Sequence, residues 1–250
     1  MPRIEAINIL FKRTKLFIQD PRKFIQDARR FLRPVPGEYR KWSSMSLKDW
    51  LLYHQKEIVF DKCHWMGKRA FKNPFDAWIY QEIIYEVKPD LIIEIGSAEG
   101  GSTLYFAHLL DIIGKGKIVS IDIERSKFNV RHRRIDVITG DSSSPETVAK
   151  VSRLCRGRSV MVIHDGDHSK GQVLKDLKAY SNFVSMGSYL IVEDGIIDLF
   201  KPGDGIGTYV DGPYNAVNDF LEDHPNFIVD KERERYIMTY NPRGFLKRIK

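Results

Sequence analysis

"DLIIEIGSAEGGSTLYFAHLLDIIGKGKIVSIDI", Asp90 to Ile123, decides the fold. It opens on a nearly continuous apolar run, passes Gly96, Gly100 and Gly101, carries an amphipathic stretch over 101–113, and closes on a second apolar run. A strand buried on both faces reads as unbroken apolar sequence, whereas a strand with one wet face alternates. The two runs therefore predict parallel strands joined by a crossover helix.

The same unit repeats outward from this stretch. Strands are expected at 90–96, 117–123, 134–140, 159–165, 188–194, 226–230 and 235–240, with helices at 76–88, 101–113, 144–155, 169–184 and 213–223. In the fourth helix Val173, Leu177, Tyr180 and Val184 recur at helical spacing. The fold class is α/β, a doubly wound, mostly parallel seven-stranded sheet covered on both faces. No helix separates the last two strands, so they are expected to form a hairpin at one edge. The chain divides into a basic helical arm (1–40), a covering segment (41–75) and the α/β domain (76–250).

A chain of 250 residues with 42% hydrophobic and 29% charged residues matches an ordinary globular domain with an appendage. No apolar run reaches the ~18 residues that a membrane span needs. Lys12, Arg13 and Lys15 interrupt "INILFKRTKLFI", which lacks the apolar stretch and cleavage site of a secretory signal. A cytoplasmic protein is expected, with at most peripheral contact at the inner membrane surface. Cys63 and Cys155 have no metal-type spacing and read as reduced thiols.

The net charge is +7, and residues 1–40 hold ten Lys/Arg against four acids, which accounts for six of those charges. The remaining chain is close to neutral, which argues against a nucleic-acid-binding face. Within the arm, Ile4, Ile7, Phe11 and Ile18 share one face of a first amphipathic helix, and Phe24, Ala28, Phe31 and Leu32 share a face of a second. Asp20 is suited to cap the second and Pro21 to start it; "RPVPG" at 33–37 ends it. The arm either packs on the main domain, packs on a second subunit of a homo-oligomer, or meets a membrane surface.

In a doubly wound sheet, ligands bind beyond the carboxyl ends of the strands. After the first strand, Gly96, Gly100 and Gly101 let the backbone approach a ligand before a helix begins, though the spacing is not the dinucleotide fingerprint. The second strand ends in Asp122, placed for ribose hydroxyls or for capping its own loop. The third ends in "TGDSSSPE", where Asp141 and Ser142 can reach an adenine edge and Ser144-Pro145-Glu146 can start a helix. Together these ends point to an adenosine-containing ligand.

Asp165 and Asp167 end the fourth strand, and Glu193 and Asp194 end the fifth. If the strands are neighbours, three carboxylates converge, and a divalent cation would relieve their repulsion. Oxygen donors favour Mg²⁺ or Mn²⁺, while the nearby histidines leave Zn²⁺ or Fe²⁺ as a lesser reading. Alternatively these acids cap helices or form salt bridges without a metal. His164 alternates into the sheet and reads as structural.

The ordered set "WMGKRAFKNPFDAWIYQEIIYEVKPDLIIEIGSAEGGSTLYFAHLL", "GKIVSIDIE", "DGDHSKGQVLKDL", "GSYLIVEDG" and "GPYNAVNDFL" resembles the cephalosporin hydroxylase family over residues 60–240. That family resembles class I S-adenosylmethionine-dependent methyltransferases and includes sugar O-methyltransferases. The resemblance implies a Rossmann-like methyltransferase fold, with Mg²⁺ on Asp167, Glu193 and Asp194. It implies the methyl donor over Gly96, Ser97, Gly100 and Ser102, with Asp122 at its ribose, Asp141 and Ser142 near its adenine, and Asp165 near its methionine part. The first 50 residues fall outside the match.

Methyl transfer to a hydroxyl needs a proton acceptor, and His168, next to Asp167, is the expected general base. The other reading of His168 is that it orients Asp167. The expected activity is metal-dependent O-methyl transfer to a saccharide or glycosylated metabolite, a small-molecule or glycan acceptor. Two other classes fit parts of the pattern: a metallohydrolase using the Asp/His cluster, which needs further histidine ligands that the badly placed His108 and His132 do not supply, and a non-catalytic nucleoside-binding protein.

Overall fold

The computed structural model describes residues 19–31, 42–200, 204 and 211–250; side chains are described for these except 27–31. The chain falls into two units, 1–46 and 47–250. In the first, helix α1 (Pro21–Phe31) starts as the sequence predicts. The Asp20 carboxylate accepts the Lys23 amide at 2.9 Å, which satisfies one of the donors left unpaired at a helix start. The expected helix over Ile4–Ile18 and the "RPVPG" terminator lie outside the described residues. Among the described residues, no helix is long and apolar enough to cross a membrane.

The second unit begins with α2 (Leu47–Tyr53), a π-helical turn (His54–Val59) and a short hairpin of β1 (His64–Trp65) and β2 (Lys68–Arg69). Next come α3 (Pro74–Val87), β3 (Leu91–Ile95), α4 (Gly101–Ile113), β4 (Lys117–Asp122), β5 (Ile135–Thr139), α5 (Pro145–Cys155) and β6 (Val160–His164). The chain closes with α6 (Lys170–Tyr180), β7 (Tyr189–Val192), α7 (Pro213–Asp223), β8 (Phe227–Val229) and β9 (Phe245–Arg248). The seven-stranded sheet runs β5-β4-β3-β6-β7-β9-β8. Five strands are parallel, and β9 is antiparallel to both neighbours.

Alternation along the central strands sorts two cores. Leu91, Ile93, Val160 and Val162 pack with Val151, Val173, Leu177 and Phe220 from α5, α6 and α7. Ile92, Ile118, Met161 and Ile163 pack with Ile79, Ile83, Phe106 and Leu110 from α3 and α4. Both cysteines are free thiols.

The antiparallel edge exists, but "RYIMTY" at 235–240 is not its second strand; β9 begins at Phe245. Side chains of α3's first turn take the backbone groups that a strand would need. Asp76 accepts the Tyr240 amide at 2.8 Å, and the Asn73 side chain donates to the Met238 carbonyl at 2.6 Å. Burial pushes the Asp76 carboxyl up to about 7, against the pull of Thr239, Tyr240 and Asn73. This lock fixes Asn241, whose side chain enters the site described next.

Candidate functional site

The sheet order puts β3 and β6 side by side in the centre, and their ends diverge into loops on opposite faces. This is the switch point at which such sheets bind ligands. Gly96, at φ +83°, makes the crossing feasible, because a Cβ there would lie 2.0 Å from the Asp165 carbonyl oxygen. A cavity of about 540 Å³ opens over these ends, lined by Gly96, Ala98, Asp122, Asp141, Ser142, Asp165, Gly166, Asp167, Gln172 and Asp176.

Asp122 lies on the cavity wall and also ties its own loop. Its Oδ2 accepts the Ser97 amide at 2.9 Å and the Ala98 amide at 3.1 Å, and its Oδ1 accepts the Glu124 amide. Burial raises its pKa, but these amides outweigh burial and hold the carboxyl below its ordinary range. Gly100, at φ +89°, caps α4, where a Cβ would strike the Phe128 ring. Ser102 faces inward, donating to Glu94 Oε1 at 2.6 Å.

Asp141 and Ser142 both reach the cavity. The Ser142 hydroxyl donates to Asp176 at 2.7 Å, and Ser144 caps α5. His164 is wholly buried, with Nε2 3.0 Å from Asp176 Oδ2, consistent with a structural role.

Beside the cavity, the strand-end acids separate into two groups. Asp165, His168 and Asp194 bring one ligating atom each within 4.8 Å of one another. His168 Nε2 stands 3.4 Å from Asp194 Oδ2 and 4.0 Å from Asp165 Oδ1. Glu193 and the other oxygen of Asp165 are bound by Lys72, whose ammonium lies 2.6 Å from Glu193 Oε1. Asp167 lies on the same turn, with its Oδ1 accepting the Ser169 amide at 2.7 Å, and this contact holds its pKa down.

Asp194 adopts a left-handed backbone, φ 57°, which a non-glycine residue holds only when its surroundings impose it. The Asn241 side chain imposes it by accepting the Asp194 amide at 3.0 Å. Burial raises the pKa of Asp194, opposed by the nearby His168 charge; it raises Glu193 further, reinforced by Asp165 and opposed by Lys72.

Lys72 and Glu94 escaped the sequence reading. Lys72 is 4% exposed, and burial pulls its pKa down, but the carboxylates of Asp165, Glu193 and Glu94 outweigh burial and raise it, so the ammonium keeps its charge. Glu94 lies inside β3, accepting the hydroxyls of Ser102 and Thr103. A glutamate within "LIIEI" was the available signal for it; Lys72 precedes Asn73-Pro74, a helix start that draws no attention to its neighbour. His108 and His132 are engaged elsewhere: His108 accepts Trp65 Nε1, and His132 pairs with Asp111. Among the described residues, the Asp165, His168 and Asp194 group is the one cluster of three or more suited to a metal.

A family model for rhamnosyl O-methyltransferase/CmcI matches residues 57–249. The chain belongs to this family. Among rhamnosyl O-methyltransferase/CmcI proteins, the rhamnosyl O-methyltransferase of Mycobacterium tuberculosis is 35% identical over 222 residues, covering 86% of this chain and 85% of its own. That of Mycobacterium leprae is 32% identical, covering 86% of this chain and 90% of its own. A solved structure of CmcI with Mg and SAM superposes with a TM-score of 0.61 at 21% identity, over 87% of this chain and 86% of the other. A CmcI structure with SAH gives 0.54 at 19% identity, over 86% and 93%. Both share this fold.

Proposed function

We propose that this protein is an O-methyltransferase that moves a methyl group from S-adenosylmethionine to a hydroxyl of a rhamnosyl or related sugar residue, with Mg²⁺ or Mn²⁺ in the site. The observation that carries this reading is the Asp165, His168 and Asp194 cluster at the lip of the strand-end cavity. It occurs in a chain whose relatives are named rhamnosyl O-methyltransferases.

The donor set fits a hard cation. Asp165 and Asp194 offer carboxylate oxygens, and the partly exposed rim leaves room for waters to complete an octahedron. A divalent ion held there would acidify the acceptor hydroxyl.

The chain's own side chains supply the rest. His168 takes the hydroxyl proton, and Asp194 stabilises the imidazolium that results. Lys72 binds one oxygen each of Asp165 and Glu193 and so fixes both carboxylates beside the reaction centre. Gly96, Ala98, Asp122, Asp141 and Ser142 orient the donor, so that sulfur, methyl carbon and acceptor oxygen can line up. The test is transfer of a labelled methyl group to a rhamnoside in Mg²⁺ and in EDTA.

A further inference from the structure

Arg125, in the loop after β4, ties together three strands from outside the strand-end cavity. Its Nη1 donates to the Ser97 hydroxyl at 2.8 Å and to the Ser120 hydroxyl at 3.0 Å. Its Nη2 donates to the Ser120 carbonyl at 2.5 Å and to the Ile138 carbonyl at 3.0 Å. Ser97 follows β3, Ser120 lies in β4 and Ile138 in β5. The guanidinium also lies over the Phe128 ring, 4.8 Å from its centroid. That ring backs the same loop, because a Cβ on Gly100 would come within 2.7 Å of it. Arg125 itself is not among the residues that line the cavity.

The turn that these contacts grip carries backbone strain. Ala98, on the cavity wall, has φ 44°, a left-handed conformation that a residue with a Cβ keeps only where its surroundings impose it. Asp122 Oδ2 accepts the Ser97 amide at 2.9 Å, the Ala98 amide at 3.1 Å and the Ser97 hydroxyl at 3.2 Å. The Ser97 hydroxyl is therefore a link: it accepts from Arg125 and donates to Asp122. Burial disfavours the guanidinium charge, and Asp122 and Glu94 favour it. Beyond closing the ends of β4 and β5, this charge grips Ser97 and, through it, the strained turn. A turn set in advance spares a ligand the cost of ordering it.

We infer that Arg125 is a positioning residue for the methyl donor. Acting through Ser97, it holds the 96–98 turn and the Asp122 carboxylate in the geometry that the donor meets, without touching the donor. The inference rests on the S-adenosylmethionine reading and adds a residue outside the cavity on which donor affinity depends.

Calorimetry of S-adenosylmethionine on the full chain tests this. Arg125→Met, which keeps the length and drops the four hydrogen bonds, is expected to weaken donor binding at least about tenfold. Mn²⁺ affinity, followed by electron paramagnetic resonance, should stay within about twofold, because the Asp165, His168 and Asp194 cluster shares no contact with Arg125. Arg125→Lys keeps the charge, but its single nitrogen cannot span the same acceptors, and its donor affinity should fall between the two. Ser97→Ala breaks the link from the other side. Combined with Arg125→Met it should weaken donor binding no further than Arg125→Met alone, since both break one chain of contacts. Should Arg125→Met not fold, Arg125→Lys takes its place in this comparison. A lower urea midpoint with donor affinity unchanged, or losses that add in the double variant, overturns the inference. Amide exchange without donor separates it from the activity. If the wild-type chain binds no S-adenosylmethionine, the proposed function is contradicted, while faster exchange at Ser97 and Ala98 in the Arg125 variant still supports the grip on the turn; unchanged exchange overturns it.

Discussion

His168 Nε2 lies 3.4 Å from Asp194 Oδ2, across the gap between the loops that follow β6 and β7. An imidazole so placed can take a proton while a carboxylate supports the charge it acquires. His168→Gln should lower kcat about 10²- to 10⁴-fold, the usual range for a lost general base. Calorimetric affinity for S-adenosylmethionine should stay within about threefold, because the donor cavity is lined by other residues. A variant with near wild-type kcat would remove His168 from the chemistry.

The two aspartates of "DGDH" should separate in a Mn²⁺ titration followed by electron paramagnetic resonance. Asp165 points into the cluster with His168 and Asp194, whereas Asp167 holds the Ser169 amide. Asp165→Asn is expected to weaken Mn²⁺ at least about tenfold, and Asp167→Asn by less than about threefold. The reverse order would move the ion to Asp167, the residue that the family resemblance indicates.

Lys72 compensates two carboxylates at once, the buried Glu193 and the partly buried Asp165, so its removal leaves both without their cation. Lys72→Met should destabilise the protein by about 3–5 kcal/mol in urea unfolding. Adding Glu193→Gln should recover part of that loss, because one uncompensated charge goes with it. Additive losses would show that Lys72 and Glu193 act independently.

Stability should also depend on pH through Glu94. Burial pushes its carboxyl up to about 7 from an ordinary 4.5, with Lys72, Ser102 and Thr103 pulling the other way. Between those values the folded state keeps a proton that the unfolded chain has lost. Stability therefore falls as pH rises through that window, by up to ~1.4 kcal/mol per unit, and levels off above it. Glu94→Gln carries no such proton. Relative to wild type it should gain on the order of 2 kcal/mol between pH 5 and pH 8 in urea unfolding. Parallel profiles for the two proteins would show that Glu94 does not titrate in this range.

The strand order and the acids at the strand ends could be read from sequence because each strand is a short apolar run and each functional side chain follows it directly. Asp122, Asp141, Asp165 and Asp194 all sit at such ends. Lys72 could not be read this way: it lies 93 residues from Asp165, in a segment with no strand or helix period of its own. The 235–240 stretch departs from its expected strand for a related reason. Its apolar pattern suits a strand, yet Asn73 and Asp76, far upstream, claim its backbone groups. The true edge strand, "FLKR" at 245–248, ends in Lys247 and Arg248 and looks like a polar terminus.

On the proposed reading, metal-dependent methyl transfer to a sugar hydroxyl takes place at this cluster. Its most direct test is the rate of label transfer from methyl-labelled S-adenosylmethionine to a rhamnoside, measured with Mg²⁺, with EDTA, and with Mg²⁺ restored. Transfer that requires the donor, stops in EDTA and returns with Mg²⁺ is the predicted result; transfer unaffected by EDTA, or no transfer to any sugar hydroxyl, would contradict it.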